Sequence, residues 1–393
     1  MTTPKIAFID HPFHRKTRSS NFFVELLSKS FVVHVFYPDP DPRSTMREIA
    51  DSDYDLVVCW QTEFCAPYFL ARGKRVVCVP MFDGVETAPD WYWLSMRQAR
   101  FINFSEKLHL LHKSLGIESI YAKYYGVAKM DLPQAKFGIL RGFFWQRRPE
   151  DGLHYKFARS LLGSTVASLH IHNAPDTQSA EDWKPDWGCT VSHFGDDASE
   201  YRKALEASNV FLSPRRTEGI GHPLIEAMAR GMCVIAHDKP TANEYIIDGV
   251  NGILVDYDSP ASFEKIKPSG SNGGLTLARA ELLGKAARTF YLRGCEDWEE
   301  TSKLLPYFVQ TTPSPDLTER DVKFADQYLS ITRFAHKDFY RYLHKLLKLQ
   351  RKGFVGAEAS AMRHRERIKW RIKSLLGATL LWRVTRRVLR RFR

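Results

Sequence analysis

Short, mostly apolar runs separated by helix-length polar segments constrain this chain more than any other feature. In the first 130 residues the runs fall at 5–9, 32–37, 56–60, 76–80, 101–103 and 119–121. Helical patterns fill the gaps, for example at 20–29 and 105–115. Strands this short, with little polar alternation, are buried on both faces, which requires a parallel sheet covered by helices on both sides. The order predicts a doubly wound, Rossmann-like domain over 1–130. Residues 128–136 read as a linker.

A second alternation predicts another Rossmann-like domain over 137–310. Its apolar runs are 138–145, 165–170, 189–194 and 210–213, with helices near 153–162 and 198–208. Residues 259–275 are rich in Ser, Gly and Pro and read as an irregular insert. Helices resume at 277–291 and 296–309. Residues 311–393 then read as a helical basic tail.

The densest chemistry lies in Ser213-Pro-Arg-Arg-Thr-Glu-Gly-Ile-Gly-His-Pro-Leu-Ile-Glu226. Seven residues separate Glu218 from Glu226. Between them lie a glycine turn and Pro223, where a helix would begin. An apolar strand precedes the turn, and Gly231 stops the helix. Such a strand–turn–helix unit lets backbone N–H groups approach an anion at a helix N-terminus. Proline in the first helical turn sacrifices no hydrogen bond there.

These residues carry a resemblance. Glu218 and Glu226, the Ala227-Met-Ala-Arg-Gly231 helix end and the Asn243-Glu-Tyr-Ile-Ile-Asp-Gly-Val-Asn-Gly252 turn are similar to the donor-binding half of family 4-like retaining glycosyltransferases, glycosyltransferase group 1. The resemblance implies the GT-B fold: two Rossmann-like domains with the active site between them, the last helix crossing back near 297–305. It implies that Glu226 holds the ribose hydroxyls of a nucleotide and that Glu218 lies near the transferred sugar, where it stabilises developing positive charge. Gly219, Ile220 and Gly221 would offer N–H groups to the diphosphate, with His222 beside them. Similar enzymes hold the diphosphate with an arginine and a lysine early in the second domain. Here Trp145-Gln-Arg-Arg-Pro-Glu-Asp-Gly152 stands in that place, so Arg147 or Arg148 takes the arginine role. Asp151 occupies the usual lysine position, leaving Arg215, Arg216 or the second of the pair as the other cation. Asp83 lies where some relatives place a catalytic histidine, which makes it a candidate for acceptor contact.

Other features are less specific. His11, His14, Arg15, Lys16 and Arg18 follow the first strand and suit an acidic acceptor facing the cleft, though a charged solvent loop fits equally. Trp91-Tyr-Trp93 fits either a sugar-stacking surface or core. Asp39-Pro-Asp-Pro42 and Asp196-Asp197 resemble metal ligands only superficially, and no obligatory metal or cofactor is expected beyond the nucleotide-diphosphate sugar as co-substrate.

Of the net charge of +12, Arg363 to Arg393 contributes +11, from twelve Lys/Arg and one glutamate. The body is nearly neutral, which argues against a nucleic-acid partner. The tail's apolar residues, including Trp370 and Trp382, fit a bent amphipathic segment meeting an anionic membrane surface. Six cysteines without paired spacing suggest reduced core thiols and a cytoplasmic setting. The chain opens directly into its first strand, with no leader pattern, and no run reaches the ~20 apolar residues of a membrane span. The expectation is a metal-independent hexosyltransferase, peripheral at the inner membrane face. It would act on a nucleotide sugar and a glycan or lipid-linked acceptor. A catalytically silent GT-B-like scaffold is the alternative, against which the two intact glutamates argue.

Overall fold

The computed structural model describes residues 3–38, 42–126, 132–176, 188–193, 198–268 and 273–317. The tail beyond residue 317, Asp39 to Asp41, Asp196-Asp197 and parts of the linker and insert therefore lie outside the described residues. The described core falls within one compact unit, Met1–Ile331.

That unit contains two six-stranded parallel sheets. The first is built from β1 (Lys5–Asp10), β2 (Val32–Phe36), β3 (Leu56–Trp60), β4 (Arg75–Val79), β5 (Arg100–Asn103) and β6 (Ser119–Tyr121), in the order β2-β1-β3-β4-β5-β6. The second uses β7 (Arg141–Gln146), β8 (Ser168–Asn173), β9 (Cys189–His193), β10 (Val210–Leu212), β11 (Cys233–His237) and β12 (Ile253–Val255), in the order β12-β11-β10-β7-β8-β9. Not every apolar run is buried on both faces: the edge strands β2 and β6 contain no buried residue. Every residue of β3, β10, β11 and β12 is buried. In each sheet the strand order reverses beside the first strand of its half. In open α/β sheets, ligands bind outside the carboxyl ends of strands near such a switch point. None of the six cysteines forms a disulfide.

Two boundaries depart from the sequence reading, each for a physical reason. The run 165–170 is not one strand: Thr165 and Val166 donate backbone bonds to Leu162 and close the preceding helix. The strand itself runs to Asn173, because His170 and His172 bond to Thr190 and Ser192 on β9 and so are tolerated inside the sheet. The expected pair of helices at 277–291 and 296–309 is one 34-residue helix, Leu277–Gln310. Gly294 does not break it. A Cβ there would sit 2.4 Å from the Tyr125 ring, so the glycine serves a close approach between chain segments. The 259–275 insert contains a short 3-10 helix, Pro260–Lys265.

The second half of the long helix packs on the first sheet. The Trp298 ring lies 4.9 Å from Tyr124, 6.1 Å from Phe22 and 6.2 Å from Phe104. Arg100 donates to the Phe308 carbonyl (2.8 Å) and the Thr311 hydroxyl (2.7 Å). A second tie uses Glu244, which follows β11. Its carboxylate accepts from Ser105 Oγ and from the Glu106 N–H, both at 2.8 Å, and so caps the helix Glu106–Ser114 of the first half.

Candidate active site between the sheets

The loop after β10 carries Arg215, Glu218 and the glycine turn. It is pinned by backbone bonds: Ser213 N–H donates to Ile235, Glu218 N–H donates to Pro240, and Tyr257 Oη donates to the Ser213 carbonyl. Gly221 has φ +80°, a left-handed conformation that suits glycine, and starts the helix His222–Ala229 with Pro223 in its first turn. Gly219 meets the first half directly. A Cβ there would lie 2.9 Å from Met81 Cβ and 3.1 Å from Asp83 Oδ1, so only a bare backbone allows the two halves this near.

Asp83 and Arg215 are joined across that contact at 2.6 Å, each side chain 13% exposed. Glu218 is 4% exposed, and its Oε1 is buried with no hydrogen-bond partner; Asp83 Oδ1 is in the same condition. Burial raises the Glu218 pKa, while the positive charges of Arg215 and Arg147 pull it down. Arg215 shows the converse: burial works against its charge, yet Asp83, Glu218 and Asp176 hold it above the usual guanidinium value. Glu218, Arg215, Arg147, Asp83 and Asp176 therefore form one electrostatic neighbourhood.

Arg147 and Arg148 follow β7, and a single carboxylate holds both. Asp176 Oδ1 accepts from Arg147 Nε at 2.9 Å and Oδ2 from Arg148 Nε at 3.0 Å. The Arg147 guanidinium also lies 5.0 Å from the Trp145 ring. Arg216 pairs instead with Asp258 at 2.6 Å.

Glu226 lies in the second turn of the helix His222–Ala229, half-buried. Its Oε1 accepts from Arg230 Nη2 at 3.0 Å. Gly219, Ile220 and Gly221 are buried at the turn. His222 packs at the junction of the halves, 5.3 Å from Tyr124 and 5.9 Å from Phe22.

Two readings left open in the sequence are narrowed. Tyr92 and Trp93 are core residues, not a sugar-stacking surface: both are buried, and Tyr92 Oη donates to Glu63. The side chain of Trp91 lies outside the described ones. The basic loop after β1 is not uniformly presented to the cleft. Asp10 accepts from His14 Nδ1 (2.6 Å), Ser20 Oγ (2.5 Å) and the His11 N–H, burying His14, and Arg15 stacks on Tyr37.

Among the described residues, His237, Asp256 and Asp258 form the one grouping with metal-ligand atoms within 4.8 Å of one another. Some of their atoms are already engaged, while His237 Nε2 is buried without a hydrogen-bond partner. Asp258 pairs with Arg216, and His237 Nδ1 contacts the Val255 carbonyl and the Tyr257 N–H.

Sequence reasoning missed Asp176, Glu244 and Tyr257 as builders of this region. Asp176 follows a strand whose two histidines blur its end. Glu244 and Tyr257 act through contacts with distant segments, which spacing does not reveal.

Residues 188–266 match the family model for glycosyl transferases group 1. No curated protein sequence matches the chain. Solved structures do. Sucrose-phosphate synthase from Thermosynechococcus elongatus matches with a TM-score of 0.58 at 13% identity, over 78% of this chain and 98% of that one. The lipopolysaccharide outer core galactosyltransferase WaaB, apo form, matches at 0.54 and 13%, over 78% and 99%. Anabaena HepE in complex with UDP and glucose matches at 0.50 and 12%, over 77% and 100%. At these identities the likeness shows the fold. The chain thus has the two-sheet GT-B fold of glycosyltransferases and carries, over 188–266, the glycosyl transferases group 1 segment.

Proposed function

We propose that this protein is a retaining glycosyltransferase. It moves a sugar from a nucleotide-diphosphate sugar to a hydroxyl of a glycan or lipid-linked acceptor, without a metal. One observation carries the reading: Glu218 is a buried carboxylate with an unpartnered oxygen, set beside Arg215 and near Arg147 and Asp83. Burying such an oxygen unpaired costs about 1–3 kcal/mol. A sugar hydroxyl can supply the missing hydrogen bond, and the carboxylate can stabilise positive charge growing at the anomeric carbon. The arginines suit the negative charge that collects on a departing diphosphate. HepE, of the same fold, was solved with UDP and glucose, which supports a nucleotide sugar as donor.

Glu226 serves the nucleotide in this reading. Calorimetry across nucleoside diphosphates should find a ligand for the wild type. Glu226→Ala should bind it about 10–100-fold more weakly, the value of one or two bonds to a charged group. Unchanged affinity would remove Glu226 from the site. Transfer should persist in EDTA; loss restored by Mg²⁺ or Mn²⁺ would contradict the metal-free mechanism.

The place of action is the cytoplasmic face of a membrane. The reading rests on the charge of the tail, where basic residues near an anionic surface contribute about 1 kcal/mol each. No helix among the described residues is long and apolar enough to cross a membrane. Truncation after Pro315 should abolish sedimentation with anionic liposomes at moderate salt and spare nucleotide binding. Undiminished sedimentation would refute the role of the tail.

A further inference from the structure

We infer that Asp176 is a positioning residue for diphosphate binding, acting through Arg147 and Arg148; the inference rests on the functional reading above. The geometry is specific. Gln146 and Asn173 are register partners at the ends of the parallel strands β7 and β8, so the segments that follow leave the sheet side by side. The Asp176 N–H donates to the Arg147 carbonyl at 3.1 Å, which closes the two segments on each other. Successive residues of an extended chain point to opposite sides. Here the chain turns at Arg148 (φ −132°, ψ 63°), and both guanidiniums converge on one carboxylate.

Asp176 engages both arginines through Nε. That choice leaves the terminal nitrogens available. Those of Arg147 have no other partner among the described residues, and Arg148 adds only a 3.5 Å ion pair with Glu150. All three side chains are largely buried: Arg147 is 17%, Arg148 27% and Asp176 11% exposed. Two adjacent guanidiniums repel each other. Without a shared counter-charge they would separate, and a fork held for bidentate contact with a phosphate would be lost. The nearest competing account makes Asp176 a simple counter-ion whose negative charge opposes an incoming anion. The two accounts predict opposite signs. Removing a mere counter-ion tightens diphosphate binding, whereas removing a positioner weakens it.

The test measures binding of UDP, GDP and ADP, with the matching nucleosides as controls, by calorimetry on the full chain. For the diphosphate that the wild type binds, Asp176→Asn should lose at least tenfold in affinity, because one amide oxygen can hold only one of the two arginines. Affinity for the nucleoside should stay the same. In an Arg147→Ala/Arg148→Ala background the same substitution should have no further effect on diphosphate binding, since the groups it positions are gone. A purely structural role would instead lower affinity equally in both backgrounds. Asp176→Glu, which keeps the charge, should recover part of the loss, and it serves as the second variant if Asp176→Asn does not fold. Unchanged or tightened binding in Asp176→Asn, or additive losses in the combined variant, would overturn the inference alone. A wild-type chain that binds no nucleoside diphosphate would overturn the functional reading and this inference with it.

Discussion

Glu218→Gln should lower turnover by about 10²–10³-fold while changing nucleotide affinity by no more than a few-fold. Losses of that size follow when a group aimed at transition-state charge is removed from a water-poor site. Glutamine keeps the shape and one acceptor oxygen but not the charge. An interaction made only in the transition state lowers kcat and kcat/KM together. Steady-state kinetics at saturating donor give the first number and calorimetry the second. A loss confined to KM would reassign Glu218 to ground-state binding.

The pH dependence of the same residue follows from its surroundings. Burial raises the Glu218 pKa above the ordinary 4.5, with Arg215 and Arg147 opposing. In the proposed mechanism the ionised form is the one that stabilises positive charge. Activity should therefore fall on the acid side at a pH above the ordinary carboxylate range. The stability effect has the opposite sense. A raised pKa in the folded state means that folding takes up a proton. The contribution is then fully present below pH 4.5 and is lost as pH rises through the folded-state value. Glu218→Gln should accordingly be no less stable than the wild type at neutral pH, a pattern seen where function is kept at the expense of stability.

Trp298→Ala should cost about 3–5 kcal/mol of stability, the usual range for deleting a large buried ring. The residue is 8% exposed and touches Phe22, Phe104 and Tyr124 of the first half from the long helix. Its loss leaves a cavity where that helix joins the first sheet. The residues proposed to hold the donor all belong to the half built on the second sheet, so nucleotide binding should survive while kcat/KM for transfer falls. Urea unfolding followed by circular dichroism reads the stability change. A change below about 1 kcal/mol, outside the range for such deletions, would show that the helix does not hold the halves together through this ring.

Much of the architecture was legible because burial on both faces leaves a plain mark. Leu-Val-Val-Cys-Trp at 56–60 can hardly be anything but a central parallel strand, and it is one. The strand Ser168–Asn173 was harder to bound, since His170 and His172 look polar in sequence but find hydroxyl partners on the next strand. The gap expected between helices at 277–291 and 296–309 is itself helical; propensity disfavours Gly294 there, and its packing against Tyr125 overrides that preference. Around the candidate site, the sequence pointed to Glu218, Arg215, Asp83 and the arginine pair as single residues. That Asp83 pairs with Arg215, and that one aspartate holds both Arg147 and Arg148, depends on contacts between segments tens of residues or more apart. No local pattern encodes such contacts.

The proposed reaction is transfer from a nucleotide-diphosphate sugar with retained anomeric configuration. Proton NMR of the reaction as it proceeds tests it most directly. The protein is incubated with whichever nucleotide sugar it binds and a hydroxyl acceptor, and the anomeric coupling constant of the first product is compared with that of the donor. Retention is the predicted result. A product of inverted configuration, or no turnover of a donor that binds, would contradict the account.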